Sequence, residues 1–319
     1  MKTRTEPSSA WRNLVLRIPK WIAIVVPILI VLAYLAVGIV IAATGTTPRR
    51  EFSPDNNPAA RNLDYQEVRF PARGGDAQIA GWYIPHAESQ RAIILVPGKD
   101  SSRSAEFAGH FVDLAATLHR EGGFAVLMID MRGRGQSSDA HYSFGLNERR
   151  DVIGAADWLA RQGFQPGSIG VLGVSYGASA GIGAVADDPN IGALVEDSGF
   201  AAWCPIAQLH WGESTGLPDI FMPSTRFATR LLYGYDICSA RPVDEIGRIA
   251  PRPVLIIHST SDVLVPFDHA TQLKAAAPHA ETWLVTGPEH ARSYNTDPPT
   301  YNQLVVDFFD RGLKTSSEQ

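Results

Sequence analysis

Residues 169–180 read Ile169-Gly170-Val171-Leu172-Gly173-Val174-Ser175-Tyr176-Gly177-Ala178-Ser179-Ala180. The first six form an apolar run of strand length, and the Ala/Gly-rich stretch from Tyr176 reads as a helix. Between them, Gly173-Val174-Ser175-Tyr176-Gly177 is a G-x-S-x-G pattern. So tight a strand-to-helix turn strains the serine backbone, requires glycine on either side, and pushes the hydroxyl out beyond the carboxyl edge of a sheet. A structural turn serine is the alternative. The strand before and the helix after favour a nucleophile at Ser175.

Working outward, short apolar runs alternate with longer helix-like stretches. Runs at 68–72 and 79–84, separated by Arg73-Gly74-Gly75-Asp76, predict an antiparallel hairpin. Further strands are predicted at 92–96, 125–130, 169–174, 193–196, 254–258 and 282–285, mostly continuous Val/Ile/Leu runs suited to parallel strands buried on both faces. Helices are predicted at 105–120, 148–162, 176–186, 268–277 and 300–311. This order implies an α/β fold: a mostly parallel sheet joined by right-handed crossovers, with helices on both faces. Residues 200–247 interrupt the rhythm with Trp203, Trp211, Phe221, Phe227, Tyr233 and Tyr235 and no core strand, and read as an inserted cap. The aromatics serve either cap packing or an acyl chain.

A serine hydroxyl needs a base, and the chain has nine histidines. His290, in Gly287-Pro288-Glu289-His290, follows the last strand and so falls at the carboxyl edge where Ser175 emerges. His258 lies within or at the end of its strand, His279 precedes the final strand at the wrong edge, and the others fall in early loops, helices or the cap. The base needs a carboxylate to fix its tautomer. Asp262 follows the penultimate strand and precedes Val265-Pro266, giving the chain order Ser, Asp, His; Asp197, after the preceding strand, is the rival. The oxyanion donors expected are the backbone N–H of Tyr176 and that of Lys99, which follows Pro97-Gly98 at the end of strand 92–96. A simple strand-exit turn is the alternative at Lys99.

Residues 21–44 carry no charge and are almost entirely apolar. As a helix they extend about 35 Å, enough to span a bilayer with some tilt, and Pro27 is tolerated in such spans. Lys2, Arg4, Arg12, Arg17 and Lys20 precede the run and only Arg49 and Arg50 closely follow it, so the positive-inside rule places residues 1–20 in the cytoplasm and the remainder outside. A cleaved signal peptide would be shorter in its apolar core and followed by an A-x-A site, which is lacking. Residues 45–63, rich in Thr, Pro, Asn, Arg and Ala, read as an extended linker to a domain over 64–314. The net charge of −5, with no basic stripe interleaved with aromatics, argues against nucleic-acid binding. Cys204 and Cys238 lack metal-ligand spacing; they are either a disulfide pinning the cap or two buried thiols. Neither metal nor organic cofactor is implied.

With these residues placed, the chain resembles the α/β-hydrolase superfamily, in its monoacylglycerol-lipase-like and serine-aminopeptidase-like branch, over roughly 64–314. The marks are the nucleophile turn, Asp130-Met131-Arg132-Gly133-Arg134-Gly135-Gln136-Ser137, similar to the family's D-x-R-G-x-G-x-S, and Asp262 to Pro266, similar to its D-x-x-V-P. Where relatives commonly carry His-Gly before the oxyanion amide, this chain has Pro97-Gly98. The resemblance implies an eight-stranded, mostly parallel sheet and hydrolysis of carboxylic esters, here a small-molecule or lipid acyl ester. An aminopeptidase or amidase would want an acidic partner for a substrate amine, for which Glu289 and Glu196 are the candidates. A non-catalytic scaffold retaining the fold is the remaining alternative.

Overall fold

The computed structural model describes residues 20–287 and 289–314. Lys2, Arg4, Arg12 and Arg17, on which the orientation across a membrane rests, and Pro288 lie outside the described residues. Eight strands form one sheet in the order β1-β2-β4-β3-β5-β6-β7-β8. They are β1 (Gln66–Pro71), β2 (Gln78–Ile84), β3 (Ala92–Val96), β4 (Ala125–Asp130), β5 (Ile169–Val174), β6 (Ile191–Asp197), β7 (Val254–Ser259) and β8 (Glu281–Val285). The sheet is mixed: β2 runs antiparallel to both β1 and β4, and every pairing from β3 to β8 is parallel.

Every residue of β3 to β7 is buried, which is why these strands read as continuous apolar runs instead of alternating ones. Two hydrophobic clusters, one for each set of inward-pointing side chains, cover the two faces. β8 departs from the expected full burial: it is the sheet edge, and Glu281, Thr282 and Leu284 are exposed. Burial on both faces and strand pairing on both sides are the privilege of interior strands.

The helices are α1 (Lys20–Gly45), α2 (Phe111–Arg120), α3 (Arg149–Arg161), α4 (Tyr176–Asp187), α5 (Trp203–Leu209), α6 (Trp211–Thr215), α7 (Met222–Tyr233), α8 (Asp268–Ala276), α9 (Ser293–Thr296) and α10 (Pro298–Gly312). The helix predicted over 105–120 is broken. Residues Glu106–Gly109 form a separate 3-10 turn in which Phe107 and Ala108 take left-handed backbone angles (φ 53° and 58°). The turn is fixed by the Glu106 carboxylate, which accepts the amides of Gly98 (2.6 Å) and Phe107 (3.2 Å), and by Phe107 stacking on Tyr294 at 4.9 Å. Long-range contacts here overrode a local helical pattern.

The interval between β6 and β7 holds α5, α6, α7 and 3-10 turns, with no strand. Cys204 and Cys238 form a disulfide that ties α5 to the turn after α7. Three of the six cap aromatics pack it onto the sheet domain: Trp203 stacks on Phe144 at 3.8 Å, Tyr233 on His141 at 4.2 Å, and the Tyr235 hydroxyl donates to Tyr142 O at 2.6 Å.

α1 is long and apolar enough to cross a membrane. The segment after it is docked on the domain. The Tyr142 amide donates to Thr46 O (2.7 Å), Arg50 Nη1 donates to the carbonyls of Gly135 (2.8 Å) and Ser137 (2.9 Å), and Asn56 Nδ2 donates to the carbonyls of Ser104 (2.7 Å) and Gly109 (2.8 Å).

Candidate active site

The strand order reverses at β3, which lies between β4 and β5. Connections from β3 and β5 leave to opposite faces there, opening a crevice at the carboxyl ends of the strands. Pro97-Gly98-Lys99 leaves β3 at that crevice and Ser175 leaves β5.

Ser175 sits at φ 52°, ψ −111°, a conformation that L-residues adopt at a cost of order 1–3 kcal/mol. The surroundings enforce it. Its amide donates to Asp197 O at 2.7 Å, and the flanking glycines allow backbone to approach backbone. A β-carbon on Gly173 would meet Gly177 O at 2.4 Å, and one on Gly177 would meet Val96 O and Pro97 O at 2.5 Å. The strained turn lifts the hydroxyl toward His290, on the loop after β8. His290 Nε2 lies 2.7 Å from Ser175 Oγ, and Nδ1 lies 2.7 Å from Asp262 Oδ2. Asp262 is held in turn: its Oδ1 accepts the amides of Leu264 (2.9 Å) and Val265 (2.8 Å). An acceptor-only carboxylate at Nδ1 fixes the proton there and leaves the Nε2 lone pair facing the serine.

The rival carboxylate, Asp197, is fully buried and otherwise engaged. Ser198 Oγ donates to its Oδ1 (2.8 Å) and the Tyr301 hydroxyl to its Oδ2 (3.0 Å), and burial pushes its carboxyl up to about 6. Ser198 Oγ also accepts the amide of Ala291 at 3.3 Å, linking Asp197 to the loop that carries His290. This support was illegible in the sequence because Ser198, Ala291 and Tyr301 meet only in the fold. His258 is buried and bonded to Val265 O (2.9 Å), with burial lowering its basicity; His269 Nδ1 accepts the Ala201 amide (3.2 Å); His210 Nε2 bonds Leu264 O (3.1 Å). Among the described residues, His290 is the imidazole hydrogen-bonded to Ser175.

Of the two amides expected to face the substrate oxygen, Tyr176 N–H opens α4 and so has no partner within the helix. Gly98 lies against Ser175, where a β-carbon would come 3.5 Å from Ser175 Cβ, and its N–H is taken by Glu106. Lys99 is the next residue. Its ammonium pairs with Asp100 at 2.6 Å and lies over the Tyr142 ring. Nothing in the sequence marks Glu106, which falls within the helical pattern over 105–120 and meets Gly98 only in the fold.

The D-x-R-G-x-G-x-S loop is structural. Asp130 forms a buried ion pair with Arg103 and accepts the Gln136 amide (2.9 Å), while Ser137 Oγ donates to Asp130 O (2.6 Å). Arg132 pairs with Asp151 and Asp76, and Arg134 lies over the rings of Tyr142 (4.7 Å) and Tyr176 (4.3 Å), the residue after Ser175. Glu196 is fully buried, with Oε2 accepting the Gly199 amide (2.8 Å), and burial pushes its carboxyl up to about 8. Glu289 is exposed.

Residues 68–213 match the X-Pro dipeptidyl-peptidase (S15) family. The uncharacterized protein YqkD of Bacillus subtilis is 28% identical over 239 residues, covering 73% of this chain and 75% of YqkD. Among solved structures, the Pyrococcus furiosus esterase Pf2001 superposes with a TM-score of 0.65 at 22% identity, covering 84% of this chain and all of that one. The Pyrococcus horikoshii acylaminoacyl peptidase superposes with a TM-score of 0.58 at 18% identity, covering 79% of this chain and 42% of the peptidase. Taken with the reversal of strand order at β3 and the turn after β5, these likenesses show that the chain has the α/β-hydrolase fold.

Proposed function

We propose that the chain is a serine hydrolase that cleaves an acyl ester through an acyl-enzyme intermediate and is held at a membrane by α1. The observation that carries the reading is the chain of two 2.7 Å contacts from Ser175 Oγ to His290 to Asp262. His290 Nε2 removes the Ser175 proton as Oγ attacks the carbonyl carbon, and Asp262 stabilises the imidazolium that forms. The carbonyl oxygen becomes an alkoxide facing the amides of Tyr176 and Lys99. One such donor is commonly worth about 3–4 kcal/mol in the barrier. The imidazolium then protonates the leaving alcohol, and a water activated by the same nitrogen releases the acid.

Pf2001 is an esterase, which supports ester cleavage; the S15 match and the acylaminoacyl peptidase support amide cleavage. Glu196 does not favour a peptidase, because it is sealed in the core and uncharged near neutral pH, so it offers no anion to a substrate amine. A fluorophosphonate probe tests the nucleophile. The parent protein labels and Ser175→Ala does not; equal labelling of both overturns the assignment. A series of p-nitrophenyl esters beside aminoacyl amides then separates the two activities.

The orientation follows from the basic residues before α1, with the hydrolase domain outside the cytoplasm. The Cys204–Cys238 disulfide supports that side, since such bonds persist in oxidising compartments. A reporter fused after Gln319 that is active only in the cytoplasm overturns it.

A further inference from the structure

α1 is two-sided in its second half. Residues 23–33 are exposed all round, whereas Tyr34, Leu35, Val37, Gly38, Ile41 and Ala42 recur at helical spacing and are buried or half-buried on one face. That face lies against the cap. The Tyr34 hydroxyl donates to Ile220 O at 2.8 Å, its ring stacks on Phe221 at 5.5 Å, and a β-carbon on Gly38 would meet Ser224 Oγ at 2.5 Å. The helix therefore leaves the domain with its direction fixed by α7 at its side and by the docked Thr46 at its end.

This fixes a depth. A bilayer that begins at Trp21, the first residue of the uncharged run, has a hydrocarbon core of about 30 Å. Tyr34 lies about 20 Å along the helix, and so about 10 Å short of the far boundary. The part of α1 that touches Ile220, Phe221 and Ser224 is thus inside the hydrocarbon, and α7 cannot lie beside it without entering the same layer.

α7 is built for that position. Around a helix of about 100° per residue, Leu231 falls about 20° and Phe227 about 60° from Ser224, adjoining the line of contact with α1. Phe227 is 51% and Leu231 66% exposed. Arg226 and Arg230 lie on the far side, and both pair with Asp236. Thr225, Ala228 and Thr229 face the core. Charges thus point away from α1 while large apolar side chains flank it, and Ile220 is also exposed. The apolar character continues to the rim of the triad. Val263 and Leu264, next to Asp262, are exposed, and so is Leu209, whose neighbour His210 is bonded to Leu264 O.

We propose that α7 of the cap is seated in the phospholipid leaflet nearest the domain, alongside α1, with Phe227, Leu231 and Ile220 in contact with acyl chains. This rests on reading α1 as a membrane span, and it deepens the proposed function by naming the substrate class: an amphiphilic acyl ester resident in that leaflet, reaching the site without crossing water.

The test uses the full chain in phosphatidylcholine/phosphatidylglycerol vesicles, with a bimane label on Leu231→Cys, Ile30→Cys or Asp139→Cys, each shown to keep the parent's thermal transition. Ile30 lies mid-span, and Asp139 is an exposed residue of the sheet domain. With brominated acyl chains, the labels at 30 and 231 lose about half their intensity and the label at 139 keeps its own. Quenching at 30 without quenching at 231 overturns the seating of α7 and leaves the span standing. No quenching at 30 overturns the span, and the proposal with it.

Discussion

Replacing Asp262 with Asn keeps the shape of the acid but reverses its polarity toward His290. The Asn carbonyl can still accept the amides of Leu264 and Val265, so the loop should hold. The amide nitrogen then lies where Oδ2 stood, 2.7 Å from His290 Nδ1. Two N–H groups cannot face each other at that distance, so the imidazole shifts its proton to Nε2. That nitrogen is 2.7 Å from Ser175 Oγ and becomes a donor where an acceptor is needed. The anion opposite the developing imidazolium is lost as well, an interaction worth about 4 kcal/mol for charges 4 Å apart at an effective dielectric of 20. Together these predict a fall in kcat of about 10³–10⁴-fold, or about 4–5.5 kcal/mol of barrier, with little change in Tm. The assay is hydrolysis of p-nitrophenyl butyrate over a range of pH, beside thermal unfolding. Asp197→Asn is the comparison, since Ser198 and Tyr301 already occupy that carboxylate, and it should retain activity within about tenfold. A loss of less than about tenfold in Asp262→Asn, or a larger loss in Asp197→Asn, would refute this assignment of the acid.

Glu196→Gln should flatten the dependence of stability on pH. The unfolded chain loses this proton above about 4.5 while the folded protein keeps it to about 8, so unfolding releases a proton in that window. The parent therefore loses roughly 1 kcal/mol for each pH unit between these values from this group, and the variant does not, as Tm measured against pH will read. Asp197, raised to about 6, contributes the same sign up to that pH in both proteins. Removing the cap disulfide, which closes a loop with a sequence separation of 34, should cost about 3–4 kcal/mol in the chain-entropy account. Urea unfolding of the Cys204→Ser, Cys238→Ser double variant checks it; a change under about 1 kcal/mol would mean that the cap unfolds apart from the domain.

The sequence alone made the fold class, the strand count, the elbow at Ser175 and the candidates His290 and Asp262 legible. Each was encoded locally, in runs of period or in a turn whose chemistry demands glycine, and the order of strands placed them at one edge. The helical pattern over 105–120 holds only from Phe111, because Glu106 bonds an amide on another loop and Phe107 packs on Tyr294, partners no local window contains. Only the tertiary structure decided that Cys204 and Cys238 are joined, that Glu196 is sealed in the core, and that β8 has an exposed edge. It alone decided that residues 46–57 are docked and that α1 lies against α7. Composition tells how apolar a helix is; which face is covered, and by what, depends on residues nearly two hundred positions away, as Tyr34 and Ile220 are.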